Sequence, residues 1–171
     1  MEYNNVLVNV YQGYINACCN NPEKGLEYYD KAIKTLENSK LSEEEKDELR
    51  FNTYIVRSHA YIELKEFDRL GVEIDKCKEL ASKLQNKFQY AWIDLMLAYG
   101  EINKENPQKG IQILSDIEIS HPLKNYYLGL AYEKEGDLNS AKKYYNEIIN
   151  SKESGLNLAM YYKRVKEKLN N

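Results

Sequence analysis

Residues 125–149 read NYYLGLAYEKEGDLNSAKKYYNEII, and this stretch decides the fold of the chain. Apolar and small residues recur at helical spacing on both sides of a short polar segment, which predicts two helices joined by a turn. Gly136 and Asp137 are the residues expected to make the turn. Gly129 in the first helix and Ala141 in the second leave room for the two backbones to approach closely. The stretch therefore predicts a hairpin of two antiparallel helices.

The residues on the inner faces of this hairpin resemble the tetratricopeptide repeat (TPR), a helix pair of about 34 residues. Leu128, Gly129 and Tyr132 match the leucine, glycine and tyrosine positions of the leading helix in that family. Ala141 and Tyr145 match the alanine and aromatic positions of the trailing helix. Because one such pair cannot bury its apolar face alone, the resemblance implies neighbouring repeats.

The pattern recurs along the chain. Tyr61, Tyr99 and Tyr132 each follow an alanine and are separated by 38 and 33 residues, close to the family period. The first repeat is the most degenerate, because Asn16 stands where a tyrosine is expected. We predict one TPR-like domain over residues 1–171, with repeats at about 6–37, 43–83, 87–119 and 122–150 and a capping helix at about 154–169.

The resemblance implies an all-α fold, a right-handed α-solenoid of about four helix-turn-helix repeats whose leading helices line a concave face. The last segment has an apolar stripe on one side and lysines on the other, as a terminal capping helix requires.

Four local features carry separate expectations. Ser42 followed by Glu45 is a capping-box pattern, so a helix should begin at about residue 43. Arg57 stands where leucine is expected; either the helix is rotated there or Arg57 pairs with a nearby acid. The turn over residues 103–108 is expected to be about two residues longer than the turn at Gly136. His121 is expected to be a turn residue.

Composition excludes several classes of protein. Of the 171 residues, 43% are hydrophobic and 30% charged, as in a soluble globular protein, and the net charge of −3 gives no basic surface for nucleic acid. The sequence shows neither an apolar run long enough to span a membrane nor a signal peptide. Three cysteines, two of them adjacent, cannot form a paired disulfide framework, so we expect a cytoplasmic protein.

The outward-facing positions of the leading helices form the candidate partner-binding groove. They mix apolar, aromatic and charged residues, which suits an extended peptide or an amphipathic helix. Alternatively, the first helix, the cap or self-association covers part of the set. By family geometry the positions are Asn52, Ile55, His59, Ile62, Glu63, Tyr90, Ile93, Leu97, Glu101, Leu123, Tyr126, Leu130, Glu133 and Lys134.

Two more specific chemistries find little support. TPR proteins that bind acidic C-terminal peptides of chaperones clamp them with Lys, Asn and Arg, whereas Glu63 and Glu101 would repel such a peptide. The two histidines have no nucleophile at a recognisable spacing, and phosphate-loop and metal-ligand patterns are missing. We therefore predict no enzyme activity, no cofactor and no metal.

The leading hypothesis is an adaptor or scaffold that binds a protein or peptide, with neither nucleic acid nor membrane as partner. Self-association into a homo-oligomer is left open. The abundance of Asn, Lys, Ile and Tyr is typical of an AT-rich bacterial genome. One alternative is therefore a peptide-sensing, pheromone-receptor-like domain of a bacterial regulator. A TPR secretion chaperone, which resembles this chain in length, is a further alternative without separate support in the sequence.

Overall fold

The structure is a computed structural model that describes residues 2–119, 121–151 and 156–170, except for the side chains of 156–160. Within these ranges the secondary structure is helical apart from the connecting turns, which confirms the all-α, TPR-like fold class. The predicted start of the capping helix at 154 lies outside the described residues. The helices are α1 (Glu2–Cys18), α2 (Pro22–Glu37), α3 (Glu43–Glu63), α4 (Phe67–Leu84), α5 (Lys87–Asn103), α6 (Pro107–Asp116), α7 (Pro122–Lys134), α8 (Leu138–Ile149) and α9 (Leu156–Leu169).

The chain divides into two compact units, Met1–Met96 and Leu97–Asn171. In the first unit, α1 packs against α2 and α3, and α3 packs against α2 and α4. In the second unit, α7 packs against α6, α8 and α9. The single-domain organisation over residues 1–171 stays a prediction. None of the described helices is both long and apolar enough to cross a membrane.

The four helix hairpins share one turn geometry. Each connection has three residues, and the middle one has a positive φ: 62° at Asn20, 58° at Lys65, 63° at Glu105 and 80° at Gly136. In the last hairpin the Asp137 N–H donates to the Tyr132 carbonyl at 3.0 Å, which closes a Schellman motif. The same bond recurs in the other three turns, from Asn21 to Asn16, Glu66 to Tyr61 and Asn106 to Glu101.

The turn between α5 and α6 is therefore no longer than the others, and the expected two-residue extension is wrong. Pro107 lies inside the first turn of α6, where its missing N–H leaves no intrahelical bond unmade. Because proline is tolerated in the first turn of a helix, Pro107 does not lengthen the connection between α5 and α6.

Close approach within a hairpin depends on small residues in the leading helix. A Cβ atom on Gly13 would lie 2.5 Å from the ring of Tyr29, and a Cβ on Gly129 would overlap the ring of Tyr145. Both tyrosines are buried in trailing helices. The ring of Tyr145 thus occupies the space that the missing side chain of Gly129 leaves within its hairpin. The ring of Tyr29 occupies the corresponding space beside Gly13.

The predicted capping box is confirmed. The Ser42 hydroxyl accepts a hydrogen bond from the Glu45 N–H at 3.3 Å, and the Glu45 carboxylate accepts one from the Ser42 N–H at 2.9 Å. Helix α3 begins at the next residue after Ser42. Two of the otherwise unsatisfied N–H groups at this helix start are thereby paired.

Arg57 pairs with acids, which decides between the two alternatives for this departure from the repeat pattern. Its Nε and Nη2 donate to the two carboxylate oxygens of Glu73 in α4, at 2.8 and 3.0 Å. Its Nη1 donates to Asp30 in α2 at 2.9 Å. The guanidinium therefore ties α3 to both neighbouring trailing helices.

Candidate partner-binding surface

Six of the fourteen predicted groove residues are buried rather than facing outward. They contribute to the packed interiors of their own units and are not accessible to a partner in this structure. They are Ile55, His59, Ile62, Ile93, Leu123 and Tyr126.

In the first unit, helix α1 covers part of α3. The ring of Tyr14 contacts the ring of His59 edge-on, with centroids 6.4 Å apart. Only 2% of His59 is exposed, and its Nε2 lies 3.7 Å from a carboxylate oxygen of the half-buried Glu63. Family geometry placed His59 outward, whereas packing against the degenerate first helix turns this position into an interior one.

In the second unit, the capping helix covers α7. Tyr126 is 3% exposed, and its ring centroid lies 4.7 Å from that of Tyr161 in α9 and 6.4 Å from that of Tyr145 in α8. Beside it, Tyr127 stacks on Tyr99 at 4.2 Å. Tyr126 is therefore part of an aromatic core that holds α9 in place.

Glu133 also serves this attachment. Its carboxylate accepts hydrogen bonds from Lys168 of α9 at 2.7 and 2.9 Å, and from the Tyr145 hydroxyl at 2.6 Å. Partial burial alone would raise the pKa of Glu133, but the bonds from Lys168 and Tyr145 bring that pKa below its ordinary value. The ionised carboxylate thus belongs to the junction of α7, α8 and α9.

The remaining charged groove positions take part in ion pairs at the surface. Lys134 lies 2.7 Å from Glu105, and Glu101 lies 3.2 Å from Lys109 and 3.4 Å from Lys104. Such partly exposed ion pairs contribute little free energy. A binding partner can therefore replace them with its own contacts to the same side chains at a small free-energy cost.

The accessible part of the predicted set is smaller than the sequence indicated. In the first unit, Asn52 and Tyr90 are exposed. In the second unit, Lys134 is exposed and Leu97 and Leu130 are half-buried. These residues place polar and apolar side chains on leading helices, which is the mixture that a peptide or helix-binding surface needs.

One accessible aromatic was missed by sequence reasoning. Phe88, in the first turn of α5, is 71% exposed. It precedes the first outward position that family geometry defines in that repeat, so the repeat pattern assigns it no role. An apolar residue in a polar helix start (Lys87 and Gln89 flank it) was the available signal.

Two sequence expectations concern metal binding and His121. Among them, no group of three His, Cys, Asp or Glu side chains is placed to hold a metal ion. The ring Nδ1 of His121 accepts the Leu123 N–H at 3.1 Å and caps α7, which confirms its role as a turn residue.

Comparison with known proteins supports the repeat. A sequence model of the tetratricopeptide repeat matches residues 125–154. The chain is similar to the mitochondrial fission 1 protein of Kluyveromyces lactis, at 28% identity over 92 residues, which is 52% of this chain and 57% of that protein. It is also similar to the mitochondrial fission 1 protein of Chaetomium globosum, at 40% identity over 76 residues, 42% of this chain and 44% of that protein. No solved structure gives a significant match.

These matches confirm a tetratricopeptide repeat in the hairpin of α7 and α8. The chain spans about half the length of the curated relatives it matches. Both relatives are fungal, so the bacterial origin expected from residue usage finds no support.

Proposed function

We propose that this protein is an adaptor that binds a protein or peptide partner through the leading helices of its hairpins. The observation that carries the proposal is the tetratricopeptide repeat match over α7 and α8, within a chain whose other hairpins share the same turn geometry. Repeats of this kind act by presenting side chains from rigid, stacked helices to a partner. We propose no reaction, cofactor or metal.

We place the partner contacts on the accessible leading-helix residues and not on the buried ones. Tyr90 offers an aromatic anchor in the first unit, and Leu130 and Lys134 offer an apolar and a cationic contact in the second. A few such anchors dominate the affinity of most interfaces. For the second unit, the partner segment that fits is an amphipathic helix or an extended peptide with an apolar side chain for Leu130 and an acid for Lys134.

Capture of partners from a lysate tests the proposal with matched variants. Tyr90→Glu and Leu130→Glu place a charge on leading helices. Val72→Glu and Leu138→Glu place the same charge at exposed apolar residues of trailing helices α4 and α8. We expect the wild type and the two trailing-helix variants to capture the same partner, and the leading-helix variants to lose it at unchanged thermal stability. Equal capture by all four variants would overturn the assignment.

The two fungal relatives favour a narrower form of the proposal, in which the adaptor takes part in mitochondrial fission, the process in their names. The broader form places it in the cytoplasm. Fluorescence imaging of the tagged chain in Kluyveromyces lactis separates them. A signal on mitochondria, with altered mitochondrial length, supports the narrower form. A diffuse signal with unchanged mitochondria supports the cytoplasmic adaptor.

The peptide-sensing alternative relied on a bacterial origin, and the secretion-chaperone alternative relied on a similar length alone. Since the matched relatives are fungal, no observation favours either alternative over the adaptor.

A further inference from the structure

Helix α1 presents an apolar stripe to solvent on the side opposite its packed face. Val8, Tyr11 and Ile15 are 54%, 55% and 38% exposed, and their i, i+3, i+7 spacing places them along one side of the helix. The opposite side, which includes Val6, Val10 and Gly13, is buried in the first unit. We call the three exposed residues the α1 stripe.

The repeat register shows what these positions do elsewhere. Gly13 corresponds to Ser58 in the next repeat, so the positions of the α1 stripe correspond to Thr53, Val56 and Ala60 of α3. Thr53 and Ala60 are fully buried. Val56 packs against clusters that contain residues of both α1 and α2, among them Leu36 and Tyr29 of the preceding trailing helix α2.

In α3, therefore, this side of the leading helix receives a neighbouring helix. In α1 the same side is apolar but exposed. An apolar surface of this kind is costly to expose to water. The α1 stripe therefore has the features of a surface that packs against another helix.

The whole of α1 beyond its first residue is uncharged. Residues 3–22 contain no Asp, Glu, Lys or Arg, although 30% of the chain is charged. The exposed residues that flank the stripe, Asn4, Gln12 and Cys19, are also neutral. A face without charge can meet an identical face without like-charge repulsion, which is the requirement of a two-fold symmetric contact.

The part of α9 whose side chains the structure describes, residues 161–169, carries charges on its exposed side. Lys163, Lys166 and Glu167 are exposed on α9. Burying these charges against the α1 stripe would cost free energy without a partner charge on α1 to offset it. We propose that the α1 stripe binds the α1 stripe of a second copy of this chain, giving a closed symmetric dimer.

The size of the stripe sets the strength of this contact. A helix of 17 residues is about 25 Å long and, with side chains, about 10–12 Å wide. Even with the whole length of α1 in the contact, one copy would bury only roughly 250–300 Å², well below the roughly 800 Å² per partner of a standard stable interface. The dimer is consequently expected to be weak and concentration-dependent, in the range of about 10 µM to 1 mM.

Sedimentation equilibrium across that concentration range tests the dimer, with a reductant present so that Cys19 cannot crosslink the copies. We expect the wild type to dimerise and Tyr11→Lys to remain monomeric with unchanged far-UV circular dichroism. Val72→Lys places the same charge at a comparably exposed valine of α4 and should dimerise normally.

A charge swap identifies the second copy as the occupant. Tyr11 lies near the middle of α1, so a two-fold axis through that point brings the two Tyr11 positions together. Tyr11→Lys and Tyr11→Glu should each be monomeric alone and should form a mixed dimer when combined.

Three results would overturn the proposal: a wild type that stays monomeric throughout, a dimer unaffected by Tyr11→Lys, or equal loss with Val72→Lys. The first would make another protein the occupant of the α1 stripe. Tyr90→Glu and Leu130→Glu should leave the dimer intact, so failure here is separable from failure of the adaptor function.

Discussion

Arg57 and Glu73 form a bidentate ion pair in the interior of the first unit, with N–O distances of 2.8 and 3.0 Å. The Arg57 position is a leucine in the family pattern, so the apolar contact of an ordinary hairpin is replaced by a charged one. Lys76 also donates to Glu73, at 2.9 Å, and only 3% of Glu73 is exposed.

Removing one member of this pair is expected to be costly. Arg57→Ala leaves the Glu73 carboxylate buried, and breaking a buried pair typically destabilises by about 3–5 kcal/mol. Lys76 still donates to Glu73 in this variant and offsets part of the buried charge. We therefore expect a loss of stability near the lower end of that range. Urea unfolding followed by circular dichroism measures the free energy directly.

Replacing both Arg57 and Glu73 by apolar residues distinguishes the cost of leaving a charge buried from the cost of losing side-chain packing. The double variant Arg57→Leu, Glu73→Leu should be much closer to the wild type than Arg57→Ala is, because an apolar pair of similar volume needs no charge compensation. A single variant within about 1 kcal/mol of the wild type would show that the ion pair does not hold these helices.

Two exposed glycines should respond to alanine with opposite signs. Gly71 lies within α4, and Gly136 lies in a turn at φ +80°; a Cβ at either position meets nothing within 4 Å. Gly71→Ala should stabilise by about 1 kcal/mol through helix propensity. Gly136→Ala should destabilise by about 1 kcal/mol, because an L-residue is strained at positive φ.

Thermal unfolding of the two glycine variants provides this comparison, and each serves as the control for the other. Stabilisation by Gly136→Ala would mean that this turn lacks the left-handed residue that all four hairpins share.

The attachment of α9 should weaken in acid through Glu133. Because its folded-state pKa lies below its ordinary value of 4.5, the ionised carboxylate stabilises the fold above about pH 4.5. That contribution is lost as the pH falls through the lower folded-state pKa. Glu133→Gln should therefore lose less stability than the wild type on acidification, as measured by unfolding from about pH 6 to pH 3.

Glu147→Gln is the matched control, since it removes an exposed carboxylate from the adjoining helix α8. The change in acid stability should be larger for Glu133→Gln, because only that substitution removes the bonds from Lys168 and Tyr145. If the Glu133 and Glu147 variants behaved alike, the bonds from Lys168 and Tyr145 to Glu133 would not contribute to the pH dependence.

The three cysteines should differ sharply in reactivity. Cys19 is exposed, whereas Cys18 and Cys77 are buried, and burial raises the pKa of the Cys77 thiol to about 12. Since the thiolate is the reactive form, a thiol reagent such as DTNB should label one site rapidly in the native protein. Cys19→Ser should remove the rapid phase; persistence of that phase would contradict the placement of these side chains.

Local sequence was sufficient for features decided within one hairpin. The glycine at 129 and the tyrosine at 145 meet as their spacing predicts, and Ser42 caps α3 with Glu45. Burial of the candidate groove was not predictable in the same way, because it depends on helices distant in sequence. Tyr14 of α1 reaches His59, and Tyr161 of α9 reaches Tyr126.

The left-handed turns show the same limit. Gly136 was recognisable as a turn residue, but Lys65 and Glu105 adopt the same conformation without a residue type that favours it. Their backbone is fixed by the packing of the flanking helices, which overrides the local preference.

The central claim is that the leading helices carry the partner contacts. The most direct measurement is the dissociation constant of the captured partner for Leu130→Glu and for Leu138→Glu, at matched thermal stability. We predict at least about tenfold weaker binding, about 1.4 kcal/mol, for Leu130→Glu and unchanged binding for Leu138→Glu. Equal affinities of the two variants, or a loss confined to Leu138→Glu, would contradict the claim.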